Sequence, residues 1–163
     1  MNTKSVSNLK FIVDNNVGRL AKWLRMMGYD AVFFNGDNDT HMVATALAEG
    51  RVILTRDTHI VKRRVVTSGQ LKVILLASDN PERQMRQVID ALNLDSQFQP
   101  FTICLKCNQP LEERSREQLK DRVPPYVFKT QSQYVECPAC HRIYWRGTHW
   151  QAMTKRLKKL AES

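Results

Sequence analysis

The sequence predicts an α/β fold: a parallel sheet with helices on its faces over residues 9–94, and a second, smaller module after it. Three observations carry this. Strand-like and helix-like segments alternate through the first half with short connections, which is the pattern of a parallel sheet covered by helices. The strand-like segments are continuous apolar runs rather than alternating ones, as strands buried on both faces require. Near Pro100 the composition changes, and all four cysteines lie beyond that point. The expected domains are residues 1–97 and 98–163, with the boundary near 95–100.

The elements follow in order. Leu9-Lys10-Phe11-Ile12-Val13 reads as the first buried strand. Val17, Leu20, Ala21, Leu24 and Met27 recur at helical spacing, and Gly28 supplies the stop. Ala31 to Phe34 is a short second strand. Met42, Val43, Ala46 and Leu47 mark the next helix, with Asp39 as the expected N-cap and Gly50 at its end. Arg51 to Thr55 is the third strand. Thr58 to Val66 reads as a short basic helix broken at Gly69, and Leu71 to Ala77 as the fourth strand. Ser78-Asp-Asn-Pro-Glu82 is a helix start, and Met85, Val88, Ile89 and Leu92 give that helix its apolar stripe. At the far end, Trp150 to Ala161 forms an amphipathic helix whose Met153, Leu157 and Leu160 dock, leaving Lys155, Arg156, Lys158 and Lys159 in water.

Hydrophobic residues make up 42% of the 163, enough for a packed core and against wholesale disorder. The longest apolar run, around Val73 to Ala77, falls far short of the roughly 18 residues that span a bilayer. Met1 to Lys10 contains no apolar signal-peptide core, so the cytoplasm is the expected compartment and no membrane partner is expected. Lys and Arg number 25 against 16 acids, a net +9 that favours a polyanionic partner, most simply nucleic acid. Residues 1–98 carry 13 basic and 10 acidic side chains and residues 99–163 carry 12 and 6, so the surplus is concentrated in the second half.

In open α/β sheets, ligands bind outside the carboxyl ends of the strands. Asp14 ends the first strand, Asp37 and Asp39 follow the second, Asp57 follows the third and Asp79 the fourth, so every strand delivers an acid to one rim. Carboxylates so close repel one another unless a cation sits among them, and hard ions such as Mg²⁺ or Mn²⁺ take oxygen ligands. The bland alternative is helix capping, which is strong for Asp79, respectable for Asp39 and weak for Asp14 and Asp57. A receiver-type phosphoacceptor domain also gathers acids at strand ends, but it needs a fifth strand where this chain turns into its cysteine module. Asn15 and Asn16 stand beside Asp14 as further ligands or caps, and Thr55 is placed to hydrogen-bond a ligating carboxylate. Arg19, Arg56 and the run Lys62-Arg63-Arg64 are candidates for holding a phosphate backbone. His41 and His59 read as surface histidines.

Cys104-Leu-Lys-Cys107 and Cys137-Pro-Ala-Cys140 have the spacing of two knuckles clamping one tetrahedral Zn²⁺, and disulfides are disfavoured without a secretion signal. Four thiolates fill the coordination shell, so the ion would be structural. After the second knuckle, Arg142, Tyr144, Trp145 and Arg146 interleave basic and aromatic residues that suit an RNA strand, although the aromatics serve equally well to cover the ribbon.

Taken together, these residues resemble the RNase domain family first recognised at the C-terminus of the Mut-seven exonuclease. The matching stretches are Asp14-Asn-Asn-Val-Gly-Arg-Leu-Ala-Lys-Trp-Leu-Arg25 with Gly28-Tyr-Asp30, Glu49-Gly-Arg-Val-Ile-Leu-Thr-Arg-Asp57, Asp79-Asn-Pro-Glu-Arg-Gln84, Cys104 to Asn108, and Tyr144-Trp-Arg-Gly-Thr-His149. The resemblance implies a PIN-like nuclease fold followed by a zinc ribbon, with an acidic metal centre and RNA as substrate, structured RNAs such as transfer or ribosomal RNA among the candidates. It matches Asp14 and Asp57 most plainly and Asp39 next; near Asp79 the family varies, and Asn80 stands where a second acid is common.

The expected activity is therefore a divalent-metal-dependent ribonuclease, cutting internally, with Asp14, Asp39, Asp57 and Asp79 as catalytic acids and Asp14, Asp37, Asp39 and Asp57 as Mg²⁺ or Mn²⁺ ligands. The competing expectation is a non-catalytic RNA- or ribosome-binding protein that keeps the fold.

Overall fold

A computed structural model describes residues 9–94 and 99–162. Part of the expected domain boundary, at residues 95–98, lies outside the described residues. Strands β1 (Lys10–Asp14), β2 (Asp30–Phe34), β3 (Val52–Thr55) and β4 (Val73–Leu75) form one sheet in the order β2-β1-β3-β4. All its pairings are parallel, with Phe11 opposite both Ala31 and Val52, and Ile53 opposite Val73. The chain connects the strands through helices α1 (Arg19–Met26), α2 (Asp39–Glu49) and the one-turn α3 (Arg64–Thr67), and leaves the sheet through α4 (Pro81–Leu92).

Side chains alternate across a strand, and at the central strands β1 and β3 both faces are covered, which is why Phe11 to Val13 and Val52 to Leu54 are apolar without a break, while the edge strand β2 leaves Phe33 exposed. Phe11, Val13, Val52 and Leu54 pack with Leu20 and Leu24 of α1 and with Met85 and Val88 of α4. Ile12 and Ile53 point to the opposite face, against Met42, Val43 and Ala46 of α2 and against Ile60. The expected basic helix over 58–66 is instead two pieces, a 3-10 turn at Ile60–Lys62 and α3. The fourth strand is shorter than expected, three residues of the apolar run pairing in the ladder.

Two helix starts differ from expectation. Asn38, not Asp39, caps α2 by accepting from the His41 amide at 3.1 Å, and Asn80, not Asp79, caps α4 by accepting from the Arg83 amide at 3.0 Å. In each case an Asn beside the Asp adopts the extended backbone that an N-cap needs. Gly28 ends α1 as expected, with φ 98°, and a Cβ there would meet the Gln99 carbonyl oxygen at 2.8 Å. It is both the turn and the point where the second half crosses the first.

That second half builds an antiparallel sheet, β5 (Glu112–Arg114), β6 (Tyr134–Glu136) and β7 (Ile143–Tyr144), in the order β5-β6-β7. Between β5 and β6 lie a 3-10 turn at Glu117–Leu119 and α5 (Pro125–Thr130). Leu119, Val123, Val127 and Tyr134 form a small core, with Trp145 packed against it. Glu136 is buried at this sheet, its carboxylate accepting from Arg114 at 3.0 Å and from Arg122 at 2.8 Å. The Arg122 hydrogen bond outweighs burial, and with those of His141 and Arg114 it holds this carboxyl down at about 2. Glu136→Gln keeps the shape but leaves two guanidiniums facing a neutral amide. It should lower the melting temperature by several degrees, and a melt matching the parent's would show the cluster to be ornamental.

Helix α6 (Thr148–Glu162) carries the chain back to the first half. Trp150 and Leu157 enter the α1–α4 core, and Trp150 stacks on Phe101 at 4.0 Å. Met153 and Leu160 pack at its edge as expected. Arg156 is not simply in water: it pairs with Glu82 and lies over the Trp23 ring, 5.6 Å from its centroid. Among the described residues no helix is long and apolar enough to cross a membrane.

The cysteine module docks at the amino ends of the strands. Buried Arg25 donates to the carbonyls of Ala31 at 2.9 Å, Leu105 at 2.7 Å and Lys106 at 3.3 Å. Asn108 accepts from the Ala31 amide at 2.9 Å and donates to Asp30 at 2.6 Å, and Asp30 in turn pairs with Arg51. Arg25→Met should cost about 2–3 kcal/mol, because it takes the donor away from three carbonyls, the Ala31 one buried. A loss under 0.5 kcal/mol in denaturant titration (about the scatter of surface substitutions) would contradict that.

Candidate active site and cysteine cluster

Because the strands are parallel, their carboxyl ends share one edge. The strand order reverses at β1, which lies between β2 and β3, and this makes the crevice between β1 and β3 the switch point where such sheets bind ligands. Asp14 is the last residue of β1 and Asp57 follows β3 by two residues, so both stand there.

The buried Thr55 hydroxyl joins them. It donates to Asp14 Oδ2 at 2.7 Å and accepts from the Asp57 amide at 3.0 Å. Asp14 Oδ1 accepts from the Asn15 amide at 2.8 Å, which caps the 3-10 turn Asn15–Val17, and Asp57 Oδ1 accepts from the His59 amide at 2.8 Å. The capping role expected to be weak at Asp14 is thus present there, Asp57 instead fixes the turn before Ile60–Lys62, which has no side-chain cap, and the two acids expected to cap do not. A carboxylate offers about four lone-pair sites, so these bonds fix the orientation of each group and leave oxygen free for a cation.

Asp39, in the first turn of α2, reaches the same place from the other face of the sheet. Partial burial, a hydrogen-bonding approach to the Asp57 carboxylate and the charges of Asp57 and Asp14 push its carboxyl above the ordinary value, against an opposing pull from Arg63. The structure therefore brings together Asp14, Asp39 and Asp57. Asp37 and Asp79 are exposed on the same rim and make no hydrogen bond or ion pair with the described residues.

The candidate basic residues divide. Arg63 donates to Thr40 Oγ1 at 3.3 Å beside Asp39. Lys62 and Arg64 are exposed, with no side-chain hydrogen bond or ion pair among the described residues, while the Arg56 amide donates to Asn16 Oδ1 at 3.3 Å. Arg19 opens α1 at the rim. Arg142, Tyr144, Trp145 and Arg146 belong to the docked module at the opposite ends of the strands, roughly 13 Å away along a five-residue strand. Tyr144 and Trp145 turn inward there: the Tyr144 hydroxyl lies 3.2 Å from Cys104 Sγ, and the Trp145 ring meets Tyr134 edge-on at 6.5 Å. Arg142 is exposed, and Arg146 lies over Phe101, 5.2 Å from its centroid.

The four cysteines offer sulfurs that all lie within 4.8 Å of one another. Among the described residues this is the one group of such ligands drawn so tightly, the acids being further apart. Each CxxC turn is built alike. The Asn108 amide donates to the Cys104 carbonyl at 2.9 Å and the His141 amide to the Cys137 carbonyl at 2.8 Å, with Asn108 and His141 at φ 62° and 65°. The amides of Cys107 and Cys140 point at the first sulfur of their own turn, at 3.4 and 3.5 Å. Hydrogen bonding to Cys140 and burial push the Cys107 thiol up to about 12. Burial would raise Cys104 too, but hydrogen bonds from Tyr144 and from the backbone of Cys107 and Lys106 bring it down to about 7. Four sulfurs this close are a soft donor set able to hold a zinc ion.

An α/β domain with carboxylates at its switch point, joined to a four-cysteine module, defines an acid-centred domain with an appendage whose cysteines are able to hold a metal ion. The chain belongs to the Mut7-C RNAse domain family, whose model matches residues 9–157, nearly its whole length. No curated protein and no solved structure matches it.

Sequence reasoning missed Arg25, Asn108 and Glu136. The only signal for Arg25 was a charge inside the buried run Leu24-Arg25-Met26-Met27, and for Asn108 an Asn just past the knuckle, where the backbone turns left-handed.

Proposed function

We propose that the protein is a divalent-metal-dependent ribonuclease of PIN-like fold, cutting RNA internally at the acidic rim, with a structural zinc ion in its ribbon. One observation supports this above the rest: the buried Thr55 hydroxyl clamps Asp14 and accepts from the Asp57 amide across the switch point. The family's description as an RNase points the same way.

Asp14, Asp39 and Asp57 form an all-oxygen donor set that suits a hard ion, and the charges of Asp57 and Asp14, which together with burial raise the Asp39 carboxyl, are a repulsion such an ion would relieve. A cation bound there supplies Lewis acidity for activating water and stabilising the leaving oxygen. Thr55 and the Asn15 amide hold the Asp14 oxygens, the His59 amide holds Asp57, and Arg63 sits where it can meet a phosphate oxygen. Asp37 and Asp79 assist from the open rim. The Zn²⁺ of Cys104, Cys107, Cys137 and Cys140 holds the ribbon together and takes no part in the reaction.

The test is cleavage of labelled single-stranded and structured RNAs by zinc-loaded protein with Mn²⁺, with Mg²⁺ and with neither. Internal cleavage that requires the added ion is expected. RNA binding without cleavage under any ion would favour the binding-protein reading.

A further inference from the structure

The face of the sheet that carries α1 and α4 ends, at the acidic rim, in a cleft of about 480 Å³, within the roughly 300–1,000 Å³ range of ligand sites. Arg19, Lys22 and Trp23 of α1 form one wall, Asn80 and Glu82 at the start of α4 a second, and Arg156 of α6 closes it. Both main walls spring from strand ends that carry an acid: Arg19 lies one 3-10 turn beyond Asp14, and Asn80 follows Asp79. The cleft therefore opens on the same edge as the proposed reaction centre.

Its charges exceed what the fold uses. Arg156 is accounted for by Glu82 and the Trp23 ring. Arg19 and Lys22 make no hydrogen bond or ion pair with any described residue. Two free cations beside a half-buried indole, with the positive end of the twelve-residue α4 opening onto them, match the combination that holds single-stranded nucleic acid, phosphates on the cations and unpaired bases on the ring. The ribbon residues Arg142 and Arg146 do not line this cleft.

We propose that this cleft is the subsite for the single-stranded RNA segment adjoining the scissile bond, with a phosphate held by Arg19 and Lys22 and an unpaired base against Trp23. The role of the segment rests on the ribonuclease reading of the rim; the binding site itself does not. Helix α6 thereby shapes the subsite: Arg156 lies over one face of the Trp23 ring and leaves the base the rest of the indole.

The experiment measures binding of a short fluorescein-labelled oligouridylate to the zinc-loaded chain by anisotropy across a salt series, with no Mg²⁺ or Mn²⁺ added. Arg19→Ala with Lys22→Ala should weaken binding about tenfold or more and flatten the slope of log affinity against log salt by about one to one and a half. Trp23→Leu should weaken it about tenfold with the slope unchanged, and Trp23→Phe should restore most of the loss. Thermal melts on the same samples separate lost binding from lost fold, and the Phe variant carries the test if the Leu variant does not fold. Parental affinity and slope in both the double variant and the Trp23 variants would overturn the proposal. So would a salt slope lost in Arg142→Ala with Arg146→Ala but kept in the cleft variants. Cleavage by Asp57→Asn at the parental rate overturns the rim instead, and leaves the cleft standing as an RNA site if its variants have lost binding.

Discussion

Asp57→Asn is expected to reduce RNA cleavage at saturating Mn²⁺ by at least about a thousandfold while leaving RNA affinity unchanged or slightly higher. Asn retains Oδ1 and with it the bond from the His59 amide, so the turn after β3 survives. What disappears is one of the charges that hold a hard cation among Asp14, Asp39 and Asp57. Several kcal/mol of transition-state stabilisation depend on such an ion, and each 1.36 kcal/mol, about one decade, appears directly in the rate. The fold should tolerate the change, because Asp57 is a source of the repulsion that raises the Asp39 carboxyl, and removing it eases that group. Asp14→Asn should behave alike, and Asp79→Asn more mildly, since Asp79 is exposed and bonds to no described residue. Thr55→Val, which removes only the hydroxyl between the two acids, should cost about ten- to a hundredfold through misorientation. Parental cleavage by Asp57→Asn, or a loss explained by an unfolded sample, would move the binding-protein reading ahead.

The second large effect is expected at the cysteines. Purified protein should carry about one Zn²⁺ per chain. Cys137→Ser, or stripping the ion with a strong chelator, should unfold the second half. Zinc sites of this type contribute roughly 10–16 kcal/mol to folding as apparent binding energy, while the core of Leu119, Val123, Val127 and Tyr134 is too small to replace it. The damage should not stop there. Arg25 and Asn108 tie the first knuckle to β2, and Trp150 and Leu157 of α6 lie in the core of the first half. Loss of zinc should therefore lower the melting temperature of the α/β half as well. Elemental analysis that finds no zinc in folded protein with four free thiols would refute this account of the ribbon.

The parallel sheet was legible because its central strands are buried on both faces and even its edge strands are short apolar runs. The CxxC pairs were legible because ligand spacing is itself local. The segment between the knuckles was not: β5 reads Glu-Glu-Arg and lies largely exposed, with no apolar period to announce it. Capping was legible as a location and not as a residue, since Asn38-Asp39 and Asp79-Asn80 offer the same chemistry one position apart, and backbone angles decide between them. The inward turn of Tyr144 and Trp145, and the docking of the module far from the rim, depend on contacts such as Arg25 to Leu105 that bridge 80 positions. No window of sequence contains both partners. The rim itself was legible because topology alone gathers the ends of parallel strands. Sequence did not reveal that Thr55 would join Asp14 to Asp57 while Asp37 and Asp79 stay apart, because that turns on side-chain direction.

Titration of Mn²⁺ into the zinc-loaded protein, followed by the electron paramagnetic resonance signal of the free ion, tests the central claim most directly. The parent should take up about one to two Mn²⁺ per chain beyond its zinc, and Asp57→Asn and Asp14→Asn should lose this uptake while keeping their zinc and their melting behaviour. Uptake by both variants equal to the parent's, or none by the parent, would contradict a cation held among Asp14, Asp39 and Asp57.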